Sequence, residues 1–195
     1  MNGINVTITD MMNCRDRRVS IQNELISKYE KPVLSFCMNI PGPVKTNEQI
    51  RKAFDSGKAE LLEALSDHNI TILHTEEFHE SSGDELIMAL DAPAEDIKTL
   101  ATGIEESHPL GRLFDMDVIG TDGMKLSRST YRKCIICGCQ AQECARSRRH
   151  SVEELQIKIE KLLNIEPSDC KRRNETRLSP FDKSKHLDGY WSLMT

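Results

Sequence analysis

Two aspartates separated by one residue, Asp115 and Asp117, lie in the stretch His108-Pro109-Leu110-Gly111-Arg112-Leu113-Phe114-Asp115-Met116-Asp117-Val118. Some thirty residues later comes Cys144-Ala145-Arg146-Ser147-Arg148-Arg149-His150-Ser151, rich in arginine. Carboxylates that hold a divalent cation, together with guanidinium groups that hold phosphate oxygens, are what phosphoryl and nucleotidyl transfer require. Mg²⁺ is the cation that suits Asp115 and Asp117, because it binds through one or two carboxylates and keeps sites for water and substrate phosphates. Asp122 and Asp84 are candidates for a third carboxylate. Arg146, Arg148 and Arg149, just before a helix opened by Ser151, are candidate phosphate ligands. Guanidinium forks match phosphate oxygens, and a helix N-terminus adds oriented N–H groups. Arg112 and Arg128 extend that set, with Arg132 beside them. Taken alone, two aspartates at this spacing more often mark a solvated strand face, and a basic loop more often balances acidic neighbours.

A second chemistry is written in the cysteines. The chain has seven, and Cys134, Cys137, Cys139 and Cys144 fall within eleven residues. An odd number without a secretion signal argues against a disulfide framework. Cys134-x-x-Cys137 can be completed by Cys144 and His150 into a zinc-type set of four, or by Cys139 in place of one member. The competing reading is a group of reduced, partly buried thiols.

Charge is unevenly spread. From Met124 to His150 there are seven Lys or Arg against one Glu, a local +6 in a chain whose formal net charge is −5, so the remainder carries −11. A basic island on an acidic protein fits a local anion site better than a nucleic-acid surface, which usually makes a whole domain basic. Aromatic residues are only 5% of the chain, which also disfavours base stacking. No apolar run reaches the ~18 residues of a membrane span, and the N-terminus lacks the basic-then-apolar pattern of a signal peptide. The expectation is a cytoplasmic protein that binds neither membrane nor nucleic acid.

The elements that must position these residues follow from periodicity and punctuation. Residues 13–29 read as a helix, capped by Asn13 or Asp10 and ended by Pro32. Residues 32–40 are a short apolar strand before the Pro41-Gly42-Pro43 turn. Residues 47–67 are the strongest helix. Residues 70–78 and 85–90 make a hairpin around Ser81-Ser82-Gly83-Asp84. Residues 92–107 are a helix with Pro93 in its first turn, and 112–119 are a strand. The order from Pro32 is β-α-β-β-α-β, which predicts an α+β fold with an antiparallel sheet of ferredoxin-like or palm-like type and two helices on one face. On the last strand Asp115 and Asp117 share one face and Phe114, Met116 and Val118 the other, because strand side chains alternate. A Cys/Arg-rich segment follows, then a helix from Ser151 to Leu163 with a Ser151/Glu154 capping box. The expected organisation is a single transferase domain over 1–195: an N-terminal helix (13–31), an α+β core (32–120), the Cys/Arg-rich segment and helix (124–165), and a tail (166–195) that docks through Trp191.

The motif series from His108 to Val118, then Leu126-Ser127-Arg128, Arg132-Lys133-Cys134-x-x-Cys137 and Cys144 to His150, resembles the citrate lyase holo-acyl-carrier-protein synthase family, also called apo-citrate lyase phosphoribosyl-dephospho-CoA transferases. The resemblance implies a nucleotidyltransferase. Its donor would be 2′-(5″-triphosphoribosyl)-3′-dephospho-CoA, its acceptor a serine of the apo acyl carrier protein (γ subunit) of citrate lyase, and its by-product diphosphate. It also implies that Asp115 and Asp117 match the aspartate pair thought to work in the related malonate decarboxylase carrier-protein synthases. A Gly-Ser motif upstream of the aspartates, common in nucleotidyltransferases, is not evident. The rival readings are a zinc-stabilised module binding RNA or protein, and a protein nucleotidyltransferase that uses another nucleotide.

Overall fold

The computed structural model describes residues 1–164, which form one unit. The expected tail and its docking through Trp191 lie outside the described residues.

The first helix, α1 (Ile8–Tyr29), begins earlier than the periodicity indicates. Thr7 is the N-cap and Asp10 the reciprocal partner in a capping box, so Asp10 serves as the third helical residue rather than the cap. Glu30 closes the helix in the left-handed conformation, and Pro32 then commits the chain to β1 (Val33–Met38). Next come α2 (Glu48–Asp67), capped by Asn47, the hairpin β2 (Thr71–Glu80) and β3 (Gly83–Asp91), and α3 (Ala94–Ser107). A 3₁₀ turn at Gly111–Leu113 takes up the residues expected to open the last strand, so β4 runs from Phe114 to Ile119. Gly111 is required there: a Cβ would stand 2.4 Å from the Glu105 carbonyl oxygen. The short α4 (Ala141–Arg146) and α5 (Val152–Leu163) complete the described chain, and Ser151 and Glu154 form the capping box expected of them.

The fold is α+β, with one antiparallel four-stranded sheet in the order β2-β3-β1-β4. One face carries Leu34, Phe36, Leu86, Met88, Leu90, Phe114, Met116 and Val118. These pack with Phe54, Leu61 and Leu65 of α2 and Ile97, Ala101 and Ile104 of α3 into the main core. Burying a set of this size is the dominant stabilising term of such a fold. On the opposite face α1 packs Leu25, with Ile21, Ile26 and Tyr29, against Val33, Ile87 and Ala89. The main element contacts of α1 are with β3 and β1. The β4 strip of that face is where Asp115 and Asp117 stand. Among the described residues no helix is long and apolar enough to cross a membrane.

Candidate active site

Alternation on β4 does what the sequence requires: Phe114, Met116 and Val118 are buried, while Asp115 and Asp117 sit half-buried on the other face. Antiparallel register sets their neighbours. Cys37 pairs with Asp115 on one side and Glu85 on the other, and Ser35 pairs with Asp117. A row of acidic and thiol groups, Glu85–Cys37–Asp115, therefore crosses the sheet. Each carboxylate in it meets a cation from another element. Arg18 of α1 donates from Nε to Glu85 at 2.6 Å. Arg132 reaches the Asp115 carboxylate at 3.4 Å, and Lys125 reaches Asp117 at 2.5 Å.

Lys125 is placed by a tight reversal after β4. The Asp122 side chain accepts from the Met124 N–H at 2.9 Å, and Gly120 donates to the Met124 carbonyl at 2.9 Å. The chain then runs back beside the strand, pairing Lys125 with Ile119, and Leu126 donates to the Val118 carbonyl at 2.8 Å.

β4 is an edge strand, so its outward backbone groups need partners. Side chains supply them. The Met116 N–H donates to Glu105 Oε1 at 2.8 Å, Lys98 Nζ donates to the Met116 carbonyl at 3.1 Å, and Arg132 donates to the Phe114 carbonyl. Glu105 is buried and also ion-pairs with Arg128 and, at 3.8 Å, with Arg132. Arg132 thus bridges the strand, Glu105 and Asp115, and its position is fixed from several directions.

Electrostatics mark this patch out. Burial, followed by the charge of Asp117, raises the Asp115 carboxyl above its ordinary value. Burial likewise pushes the Cys37 thiol up to about 12, so it stays protonated and unreactive at neutral pH. Burial lowers Lys98, Arg128 and Arg132. Two crowded carboxylates, one of them raised, form a site that a divalent cation would relieve.

A cleft of about 690 Å³ opens over the pair. Asp115, Asp117, Lys98, Lys125, Arg128 and Arg132 line it, with the hydroxyls of Ser127, Ser129, Thr130 and Tyr131. A second cleft of about 530 Å³ lies alongside and is mainly apolar, lined by Leu113, Ile135, Val152, Leu155 and Ile159 with Arg112, Arg148 and His150. Asn39, Ala141 and Ala145 line both.

The residues expected to bind phosphate are therefore dispersed. Arg128 lines the aspartate cleft, with its guanidinium held by Glu105. Arg112 and Arg148 line the second cleft, and Arg112 donates to the Lys133 carbonyl. Arg146 and Arg149 are exposed and line neither. Arg149 instead approaches the Cys139 sulfur at 3.5 Å. Asp122 is used in its own turn. Asp84 is fully buried at the start of β3, ion-paired with Arg51 and with His79 at 2.9 Å, so neither is a third carboxylate at this cleft. His108 is engaged at both ring nitrogens, by the Leu110 N–H at 3.0 Å and by Ser56 Oγ at 3.1 Å. Lys98 and Glu105 carry no motif that would single them out; the signal, available only with the fold in hand, is the need to satisfy an edge strand.

Cys134, Cys137, Cys144 and His150 do come together, with one potential ligand atom from each lying within 4.8 Å of all the others. The adjacent His150 pulls the Cys137 thiol down to about 5, while Cys137 in turn pushes Cys144 up to about 12.

Paired carboxylates facing cations across a polar cleft are the equipment of an enzyme that transfers phosphate-linked groups. A sequence model of the family described as apo-citrate lyase phosphoribosyl-dephospho-CoA transferase matches residues 6–165. Proteins of that name from Citrobacter koseri, Shigella boydii serotype 18 and Escherichia coli O157:H7 are each 34% identical to this chain over 163 residues, covering 82% of it and 89% of each relative. The chain belongs to this family of transferases.

Proposed function

We propose that the chain transfers the phosphoribosyl-dephospho-CoA group from its triphosphoribosyl donor to a serine of the apo acyl carrier subunit of citrate lyase. In this reaction a bond forms between the serine oxygen and the α-phosphorus, the bond to the diphosphate breaks, and the serine proton is released. The observation that carries the reading is the Asp115/Asp117 pair on the open strip of β4, beneath a cleft that Lys125 and Arg132 supply with cations.

Asp115 and Asp117 are the residues that would hold Mg²⁺, which would neutralise the triphosphate and the departing diphosphate. The chain's own groups do the rest. Lys125, exposed along most of its length, can leave Asp117 for a phosphate oxygen. Arg132, held by backbone carbonyls and Glu105, offers a fixed guanidinium toward the same space. Hydroxyls of Ser127, Ser129 and Thr130 can donate to further phosphate oxygens. Transfer of this kind needs mostly positioning and charge stabilisation from the protein. A donor with a long dephospho-CoA arm also needs room beyond its phosphates, and the neighbouring apolar cleft offers it across the shared wall of Ala141 and Ala145.

The test is to incubate the protein with apo carrier, triphosphoribosyl-dephospho-CoA and Mg²⁺, and to weigh the carrier by intact mass spectrometry. The expected result is a gain equal to the donor minus diphosphate, lost in Asp117→Asn. A carrier modified from ATP instead would favour a different nucleotide. No modification from authentic donor would overturn the reading.

A further inference from the structure

The segment between β4 and α5 has almost no apolar core of its own. From residue 120 to 150 the only buried hydrophobic residues are Cys134 and Cys144, while Met124, Tyr131 and Ile136 are exposed. Yet this stretch forms the wall between the two clefts and delivers Arg132 to Asp115. Something other than hydrophobic burial must organise it, and short segments of this kind commonly rely on a cross-link or a metal.

The local backbone is built around the sulfur atoms. Cys134 and Cys137 flank a tight turn in which the Gly138 N–H donates to the Cys134 carbonyl at 3.1 Å and the Cys134 N–H to the Cys139 carbonyl at 2.6 Å. Gly138 has φ +73°, a left-handed conformation that glycine adopts at no cost. The third thiol comes from α4, whose Cys144 Sγ lies 3.4 Å from Cys137 Sγ. The chain leaves α4 through Arg148, a non-glycine residue at φ +47°, with the Arg149 N–H bound to the Cys144 carbonyl at 3.1 Å. That bend returns His150 to the thiols. Its Nε2 is shut off from solvent and makes no hydrogen bond among the described residues, an arrangement with a cost unless the nitrogen has another partner.

Three sulfurs and one imidazole nitrogen, all within 4.8 Å of one another, are close enough to gather around one tetrahedral ion. With zinc–sulfur bonds near 2.3 Å and zinc–nitrogen bonds near 2.0 Å, the ligand atoms of such a tetrahedron stand about 3.5–3.8 Å apart. We infer that Cys134, Cys137, Cys144 and His150 form a structural Cys₃His zinc site that fixes the wall between the two clefts. All four positions are filled by protein, which makes the site closed and structural rather than catalytic. Cys139 is left outside the set, its sulfur beside Arg149. The inference stands independently of the transfer reaction.

The full chain, purified under reducing conditions without chelator, is expected to carry one zinc by plasma mass spectrometry. After exchange with Co²⁺ it should show the intense visible bands of tetrahedral cobalt together with thiolate-to-cobalt charge transfer. Cys137→Ser should lose most of the metal, and Cys139→Ser should keep it. If Cys137→Ser fails to fold, the wild-type cobalt spectrum decides. Metal-free wild-type protein that takes up no tetrahedral cobalt would overturn the assignment, as would a Cys137–Cys144 disulfide in the intact-mass profile of protein isolated under non-oxidising conditions.

Discussion

The two halves of the aspartate cleft are built by different physics. Asp115 and Asp117 stand on a strand whose reverse face is sealed by Phe114, Met116 and Val118 against two helices. Lys125 and Arg132 stand on a segment with far less backing, Leu126 alone reaching the main core and Ile135 a smaller one, and are placed by a tight turn, by Glu105 and by contacts to backbone carbonyls. The acidic half is rigid because a densely packed interior does not yield. In the basic half Lys125, exposed along most of its length, can be re-aimed, whereas Arg132 is held by Glu105 and backbone carbonyls. The proposed transfer would draw on both, the one to leave a carboxylate for a phosphate and the other to stand as a fixed charge.

This contrast can be broken most forcefully through the core. Phe114→Ala empties a fully buried site between β4, α2 and His108, and should cost about 3–5 kcal/mol in urea unfolding. Ile136→Ala, at a partly exposed position of the basic segment, should fall within about 0.5 kcal/mol of wild type. Equal losses at the two sites would show that the segment has a core of its own.

Asp115→Asn separates chemistry from stability. Transfer should fall about 10²–10³-fold, the scale of losing one well-placed electrostatic group. The thermal midpoint should not fall with it. Burial raises the folded carboxyl above its unfolded value, so folding favours the protonated form. The charge therefore costs stability at pH values above the folded pKa, and that cost disappears as pH drops below the unfolded one. A neutral Asn removes the cost, so the variant should match or exceed the wild-type midpoint at pH 7 and lose any advantage in acid. A clear drop at pH 7 would identify the Asp115–Arg132 pair as a structural tie instead.

A more local effect is expected of Gly138→Ala. Placing a Cβ at φ +73° should cost about 1–2 kcal/mol. If the basic segment is organised separately, the loss should appear as faster local amide exchange in residues 132–150, with the exchange of β1 and β3 unchanged.

The sequence shows best what is local. The Asp115/Asp117 face, the Ser151/Glu154 capping box and the Cys134, Cys137, Cys144 and His150 group each depend on a fixed period or a short span. The β-α-β-β-α-β succession is likewise recovered, because each element has its own apolar period and its own stop. The start of α1 was hidden because an aspartate three residues into a helix looks like a cap, and Thr7 three residues before it carries the same chemistry. The arginines are dispersed for another reason. Arg146, Arg148 and Arg149 are adjacent in sequence, yet the turn after α4 sends them in different directions, so a basic island in sequence is not one in space. Glu105 and Lys98 were illegible because their task, satisfying the outer edge of β4, exists only once strand order is known.

That edge has a further consequence. With the outward Phe114, Met116 and Val118 carbonyls and the Met116 N–H already taken by Arg132, Lys98, Leu126 and Glu105, β4 presents little of the template on which another chain could hydrogen-bond. The opposite margin, β2, carries Glu76, Glu77 and Glu80 and a register shift between Ile72 and His74, which are features that discourage edge pairing. Both edges thus discourage edge-to-edge pairing, and β-augmentation is disfavoured as a mode of partner recognition at the aspartates. In the proposed reaction the acceptor protein would therefore offer its hydroxyl from a loop or a helix end that enters the cleft from above.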